Sequence, residues 1–307
     1  MRKVIGIGET ILDIIFKNEE PIAAVPGGSV FNGIISLGKL GMNVTFISET
    51  GNDHVGRKII SYMNENHVKS EHVNIFPDGK SPVSLAFLDE QNNADYAFYK
   101  DYPNNRLDVS FPDIQKDDIV MFGSYFALNP VIRDKVLEFL EYAKERKALF
   151  YYDPNFRSTH ANEALKLTSS LIENLEFADI VRGSEDDFQY MYHKDDPDKI
   201  FKDDIQFYCP NFIYTTGPDK ISLRTNTIRK EYDVPQIESV STIAAGDNFN
   251  AGVVYGLVKY GITKESLKTM DQALWDKVIQ CGMEFSADVC QSINNSVSNE
   301  FVTGHRL

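Results

Sequence analysis

The sequence predicts an α/β fold built on a mainly parallel sheet with helices on both faces. Short apolar runs rich in Val, Ile, Phe and Tyr alternate with longer amphipathic stretches, and the runs are apolar on both faces, as doubly covered strands must be. The chain has 307 residues, 42% hydrophobic and 25% charged, which suits one large globular domain or two ordinary ones and excludes disorder, collagen and low-complexity filaments.

The strands are read in order as VIGIG at 4–8, VTFIS at 44–48, IVMFG at 119–123, ALFYYD at 148–153, IVRG at 180–183 and FIYTT at 212–216. Helices are expected between them at 28–41, 55–67, 130–146 and 161–175, and the stretch 247–293 is largely helical. Residues 11–25 and 81–102 break the rhythm. They read as strands joined by turns, with Gln91-Asn92-Asn93 as a hairpin tip. Two arrangements suit them: a small antiparallel sheet projecting from the main domain, or two edge hairpins of the main sheet. No internal repeat or linker interrupts the chain.

Lys and Arg total 31 against 45 Asp and Glu, a net charge of -14, so the surface repels nucleic acid and an anionic ligand must be held locally. Three widely spaced cysteines without a CxxC indicate neither a disulfide framework nor a zinc site. Glu9 and Asp13 interrupt the apolar start, which excludes a signal peptide, and no run has the length of a membrane span. A cytoplasmic location without an anchor is expected.

Two segments imitate known motifs. Gly6-Ile7-Gly8 opens like a dinucleotide fingerprint, but Ile11 stands where the third glycine belongs. Gly33 to Leu40 imitates a phosphate loop, yet Leu40 replaces the magnesium-binding hydroxyl and the apolar spacing is that of a helix interior. The six histidines form no HExxH or comparable cluster.

Two segments carry chemistry. In Pro26-Gly27-Gly28-Ser29-Val30-Phe31-Asn32 a glycine pair lets a ligand approach the backbone just before a helix, and Asn32 can donate and accept at once, as a polyol requires; a tight turn with a helix cap gives the same pattern. In Ser241-Thr242-Ile243-Ala244-Ala245-Gly246-Asp247-Asn248-Phe249-Asn250-Ala251-Gly252, small residues expose successive N–H groups at a helix start, an anion site of the kind that cradles phosphate. Asp247 follows in the first turn. A carboxylate beside such a nest is repulsive unless it serves a reacting hydroxyl. Gly252 and Gly256 indicate close packing of that helix.

Both segments resemble the two signatures of the ribokinase-like, phosphofructokinase B type sugar kinases. The likeness spans essentially the whole chain and includes Gly8-Glu9, Asp13, Phe98-Tyr99-Lys100, Asp153-Pro154-Asn155-Phe156-Arg157 and Thr215-Thr216-Gly217-Pro218-Asp219, in the family's order. The resemblance implies a Rossmann-like three-layer domain over 1–10, 26–80 and 103–307, with a discontinuous β lid from 11–25 and 81–102. It implies a catalytic base at Asp247, with an anion hole at the amides of Ala244, Ala245 and Gly246. It implies sugar contacts from Asp13, Gly27, Gly28 and Asn32, and nucleotide contacts from Ser184, Thr216, Gly217, Thr242 and Gly246. Lys100 and Arg157 are further candidates on the sugar side, Arg157 as a fixed cation near the transferring phosphate or an acidic sugar, or as a salt bridge to the acidic surface. ATP and Mg2+ are the implied co-substrate and ion, and Asp187 is a candidate metal residue. Exposed antiparallel edges invite pairing, so a homodimer through the lid is a candidate assembly.

The chain also departs from the family. Ser184-Glu185-Asp186-Asp187 stands in place of Asn-x-x-Glu, Ser241 where many members have Asp, which bears on potassium activation, Lys220 in place of a glycine and Lys100 in place of an Arg. Lys rather than a bidentate Arg favours a neutral sugar over a sugar acid. The expected activity is ATP-dependent phosphorylation of fructose, with 2-keto-3-deoxygluconate as the nearest rival, then aminoimidazole riboside and ribose. A non-catalytic sugar binder is disfavoured by the intact Ala-Ala-Gly-Asp.

Overall fold

The computed structural model describes residues 2–90 and 94–307. The chain forms two compact units, one of Met1–Asp113, Ile237–Gly261 and Lys277–Leu307, the other of Ile114–Gln236 and Ile262–Asp276.

In the first unit, strands β1 (Lys3–Ile7), β4 (Asn43–Gly51) and β5 (Val73–Phe76) pair in parallel, in the order β1-β4-β5. The helix Ser29–Lys39 precedes β4 in sequence and buries nearly all of its length, including Gly33 and Gly38, so the imitation phosphate loop is a helix interior as its spacing predicts. Strands β2 (Ile11–Lys17), β3 (Glu20–Gly27), β6 (Lys80–Leu88) and β7 (Ala94–Asp101) form a separate sheet in the order β3-β2-β6-β7. The outer pairs are antiparallel, but the central pair β2/β6 is parallel, a refinement of the antiparallel sheet read from sequence. The physical reason is connectivity: β2 and β6 come from distant segments, and no hairpin turn dictates their mutual direction. The expected tip at 91–93 lies outside the described residues.

Asp53 ties this sheet to a helix. It caps His54–Glu65 by accepting from the Gly56 N–H at 2.8 Å, and it also accepts from the N–H and hydroxyl of Ser81 in β6 at 2.9 and 2.7 Å. Burial pushes its carboxyl up, but these hydrogen bonds outweigh that and hold it below its ordinary value of 3.8. A lowered folded pKa means that ionised Asp53 stabilises the fold above its unfolded pKa, and that this contribution disappears as pH falls through the folded one. Asp53→Ala is expected to cost about 1 kcal/mol at pH 7, a Tm loss of roughly 2–4 °C, and less at pH 3. Melting curves at the two pH values test this; equal losses at both would contradict it.

The second unit carries β8 (Ile119–Gly123), β9 (Leu149–Asp153), β10 (Ile180–Ser184) and β11 (Asn211–Thr215) in parallel, extended by β12 (Lys220–Thr225) and β13 (Arg229–Asp233) in antiparallel pairing. Every residue of β8, β9 and β11 is buried, as strands covered on both faces require. The helices Arg133–Glu145 and Ala164–Phe177 connect β8 to β9 and β9 to β10. The hairpin β12–β13 has no counterpart among the expected strands. Its residues are rich in Lys and Arg, and Arg224 is buried only because Asp198 binds it at 2.8 and 3.1 Å and Glu231 pairs with it as well.

Among the described residues no helix is long and apolar enough to cross a membrane. All three cysteines are buried thiols, and burial pushes the Cys209 thiol up to about 12.

Candidate active site

The helix Ala245–Lys259 begins at Ala244, a left-handed residue with φ of 60°. Ala244 turns the chain so that Ala245, Gly246 and Asp247 occupy the first turn, where N–H groups have no intrahelical acceptor. Ala245 N–H donates to Thr242 O at 3.2 Å, so of the expected anion hole the amide of Gly246 is the better placed. Thr242 itself is exposed. Just before the turn, Ile243 packs on Ile15 and Ala86 of the small sheet, with Val25 and Tyr96 beside them. At Gly252 a methyl group would overlap Cys281 O, and at Gly256 it would lie 3.1 Å from Val278 Cα, which accounts for both glycines.

Asp247 is 7% exposed, and its Oδ2 accepts from Asn32 Nδ2 at 2.8 Å. Asn32 stands in the first turn of Ser29–Lys39, its own N–H bonded to Gly28 O at 2.8 Å. One turn further on, the Ser36 hydroxyl donates to Asn248 Oδ1 and accepts from Val297 N–H at 3.1 Å. Asn32 and Ser36 share a helix face through their i, i+4 spacing, and consecutive residues Asp247 and Asn248 meet them from the other helix.

Asp13 lies on β2 opposite Ser84 of β6, and that register lets the Ser84 hydroxyl donate to Asp13 Oδ1. Asp13 Oδ2 accepts from Asn295 Nδ2 at 3.2 Å. Any side chain at Gly27 would occupy the space of the Asp13 carboxylate. Gly28 has φ of 134°, and a methyl group there would overlap Glu9 O. The structure thus gathers Asp13, Gly27, Gly28, Asn32 and Asp247 in one unit and adds Ser36, Ser84, Asn248 and Asn295 to them.

Lys100 Nζ pairs with Glu9 Oε1 at 2.7 Å, and the same oxygen accepts from the Tyr102 hydroxyl at 2.7 Å. Burial, with Glu9 beside it, pushes the Tyr102 hydroxyl far above its ordinary value, so it remains a donor. Buried Glu49 takes Arg106 Nε at 2.7 Å and Leu107 N–H at 2.9 Å. Both cations at this end of β7 therefore already have carboxylate partners.

In the second unit, Ser184 caps Glu185–Tyr192 in a reciprocal box with Asp187. Buried Asp187 accepts from Ser184 N–H and Oγ at 2.6 Å each, and from Phe156 N–H at 2.6 Å. Burial, then neighbouring Asp153, raises its pKa, against the opposing charge of Arg182. Among the described residues no group of three or more His, Cys, Asp or Glu is arranged to hold a metal. Arg182 binds Asp153 at 3.0 Å and Thr215 Oγ1 at 2.7 Å, while Arg157 is exposed. Thr216 closes the turn from β11 to β12, its N–H donating to Lys220 O at 3.0 Å, and Gly217 at the turn has φ of 55° and open space around it.

A family profile described as pfkB family carbohydrate kinase matches residues 1–300. The chain belongs to this family. Curated relatives of this pfkB-family kinase include Probable fructokinase-6, chloroplastic, of Arabidopsis thaliana, 22% identical over 82% of the chain and 69% of the relative. They also include the 5-dehydro-2-deoxygluconokinase of Geobacillus thermodenitrificans, 28% identical over 76% of the chain and 72% of the relative. Among solved structures, a fructokinase double mutant from Vibrio cholerae O395, in fructose-, ADP- and potassium-ion-bound form, superposes with a TM-score of 0.84 at 19% identity, over 100% of this chain and 99% of that one. The shared fold is three-layer α/β with a mostly parallel sheet and an additional small sheet.

In the kinase, Ser84, Asn248 and Asn295 are the polar neighbours of Asp13 and Ser36 that motif reading did not single out. Asn248 follows Asp247 directly and was within reach of the motif. Ser84 and Asn295 carry no local signal, since only strand register and chain return bring them to Asp13.

Proposed function

We propose that this kinase transfers the γ-phosphate of ATP to a hydroxyl of fructose, giving fructose 6-phosphate. The observation that carries the reading is the Asn32–Asp247 pair at 2.8 Å, at the start of a helix whose first-turn amides suit a phosphoryl group. Asn32 orients the Asp247 carboxylate by holding Oδ2. Asp247 then accepts the sugar hydroxyl's proton as the new O–P bond forms and the bond from phosphorus to ADP breaks. The Gly246 amide and the helix dipole stabilise charge on the moving phosphoryl oxygens. Ser184, Thr216, Gly217 and Thr242 are proposed on the nucleotide side, and open space at Gly217 suits close approach of a ligand. Mg2+ supplies phosphate charge neutralisation and is proposed to arrive with the nucleotide, because Asp187 already takes three donors.

A neutral sugar is preferred to a sugar acid because Lys100 is already neutralised by Glu9 and Arg106 by Glu49. Potassium activation is not part of the proposal: the Ser241 hydroxyl accepts from Ile243 N–H at 3.1 Å. A homodimer through the small sheet is included, since β7 exposes Phe98 and Tyr99, and the mass in solution tests it.

ADP release measured with Mg-ATP and fructose, 2-keto-3-deoxygluconate, ribose, adenosine or aminoimidazole riboside should be fastest, per unit kcat/KM, for fructose. Absence of turnover with all five would overturn the proposal.

A further inference from the structure

Two buried asparagines in the first unit repeat one device. Asn32 donates through Nδ2 to Asp247, Asn295 donates through Nδ2 to Asp13, and in both the amide oxygen Oδ1 is buried with no hydrogen-bond donor among the described residues. The orientation of each amide follows from chemistry, because turning it over would set Oδ1 against a carboxylate. A buried carbonyl left unpaired is costly, so a donor brought against either oxygen is a net gain.

Asn295 is 1% exposed and lies in the turn that follows Val289. Its backbone is held at the residue itself and just after it. Its own carbonyl accepts from Asn248 Nδ2 at 3.0 Å, Val297 N–H donates to Ser36 Oγ at 3.1 Å, and Lys39 Nζ donates to Val297 O at 2.6 Å. Asn248 in turn bonds Ala244 O at 2.9 Å, so the turn is anchored to the residue that opens the Asp247 helix. A side chain so rigidly placed is suited to reading a ligand, since little ordering remains to be done on binding.

We propose that Asn295 is a sugar-recognition residue of this kinase: it positions the Asp13 carboxylate through Nδ2 and accepts a sugar hydroxyl hydrogen at Oδ1. The inference rests on the sugar-kinase reading given above. In the proposed site, the Asp13 carboxylate and Asn295 Oδ1 are both acceptors. The matching ligand is a polyol that donates from two neighbouring hydroxyls, one to the carboxylate and one to the amide. A site built this way rejects an analogue lacking the second hydroxyl, because Asn295 Oδ1 then remains unpaired.

Steady-state kinetics of the whole protein test this, with D-fructose and its 3-deoxy and 4-deoxy analogues as acceptors for wild type, Asn295→Ala and Asn295→Ser, and with thermal melting as the folding control. Asn295→Ala is expected to raise KM for fructose by roughly 10- to 100-fold while KM for ATP stays within about 2-fold. Wild type should discriminate against one deoxy analogue by a similar factor, and the alanine variant should lose that discrimination at that position alone. Asn295→Ser, which keeps a polar group, should fall between the two. Unchanged KM for fructose in folded variants, or undiminished discrimination by Asn295→Ala, overturns the role of Asn295 while leaving the kinase reading intact. Wild type that turns over neither fructose nor either analogue overturns the two together.

Discussion

Asp247→Asn is expected to lower kcat by roughly 10²- to 10⁴-fold, the usual scale for losing a general base, while KM for the sugar changes by only a few fold. The substitution keeps the side chain's shape and its place in the first helical turn. What it removes is the proton acceptor and a negative charge beside the phosphoryl site. Because Asn32 Nδ2 holds Asp247 Oδ2 at 2.8 Å, the new amide can still present its oxygen to Asn32, so the fold should survive. Single-turnover ADP release and a melting curve separate the two effects. Turnover within about threefold of wild type would falsify the role of Asp247 as base.

Gly28→Ala has the largest expected effect on the fold. At φ of 134° no L-residue is at ease, and the added methyl group would overlap Glu9 O, a backbone atom that cannot rotate away. Strain and overlap together should cost about 3–6 kcal/mol, a Tm loss of roughly 6–24 °C. Sugar affinity should fall as well, since Gly28 begins the helix that carries Asn32. Gly217→Ala is the control. Its φ of 55° is also left-handed, but nothing lies within 4 Å of the added carbon, so only about 1–2 kcal/mol is expected. If both variants melt alike, the overlap with Glu9 is not what makes Gly28 necessary.

Much of the fold was legible in the sequence because apolar character is a local property. IVMFG and ALFYYD announce doubly covered strands on their own, and β8 and β9 lie there. The hairpin β12–β13 was not legible. Its Arg224 looks like a surface residue until Asp198 and Glu231 are seen to neutralise it. Strand direction in the small sheet escaped for a related reason, since the β2/β6 pairing joins segments with no shared turn.

The candidate site divides in the same way. Asp247, Gly28 and Asn32 stand out because glycine and small residues around a helix start form a pattern within a dozen positions. Lys100 was read as a sugar contact, and its pairing with Glu9 emerges only when β7 returns to the start of β2. Asn295 sits among ordinary serines and asparagines, and nothing in that stretch distinguishes it from a surface turn.

The sequence by itself determined the helix and strand pattern, the phosphate-friendly helix start and the carboxylate within it, because each depends on neighbours a few residues away. Only the tertiary structure decided that Asn32 holds Asp247, that Ser84 and Asn295 hold Asp13, and that the buried amide oxygens of Asn32 and Asn295 have no donor among the described residues. A hydrogen bond forms over about 3 Å, whichever residues the chain's path brings that close, and a single sequence does not reveal that path at this precision.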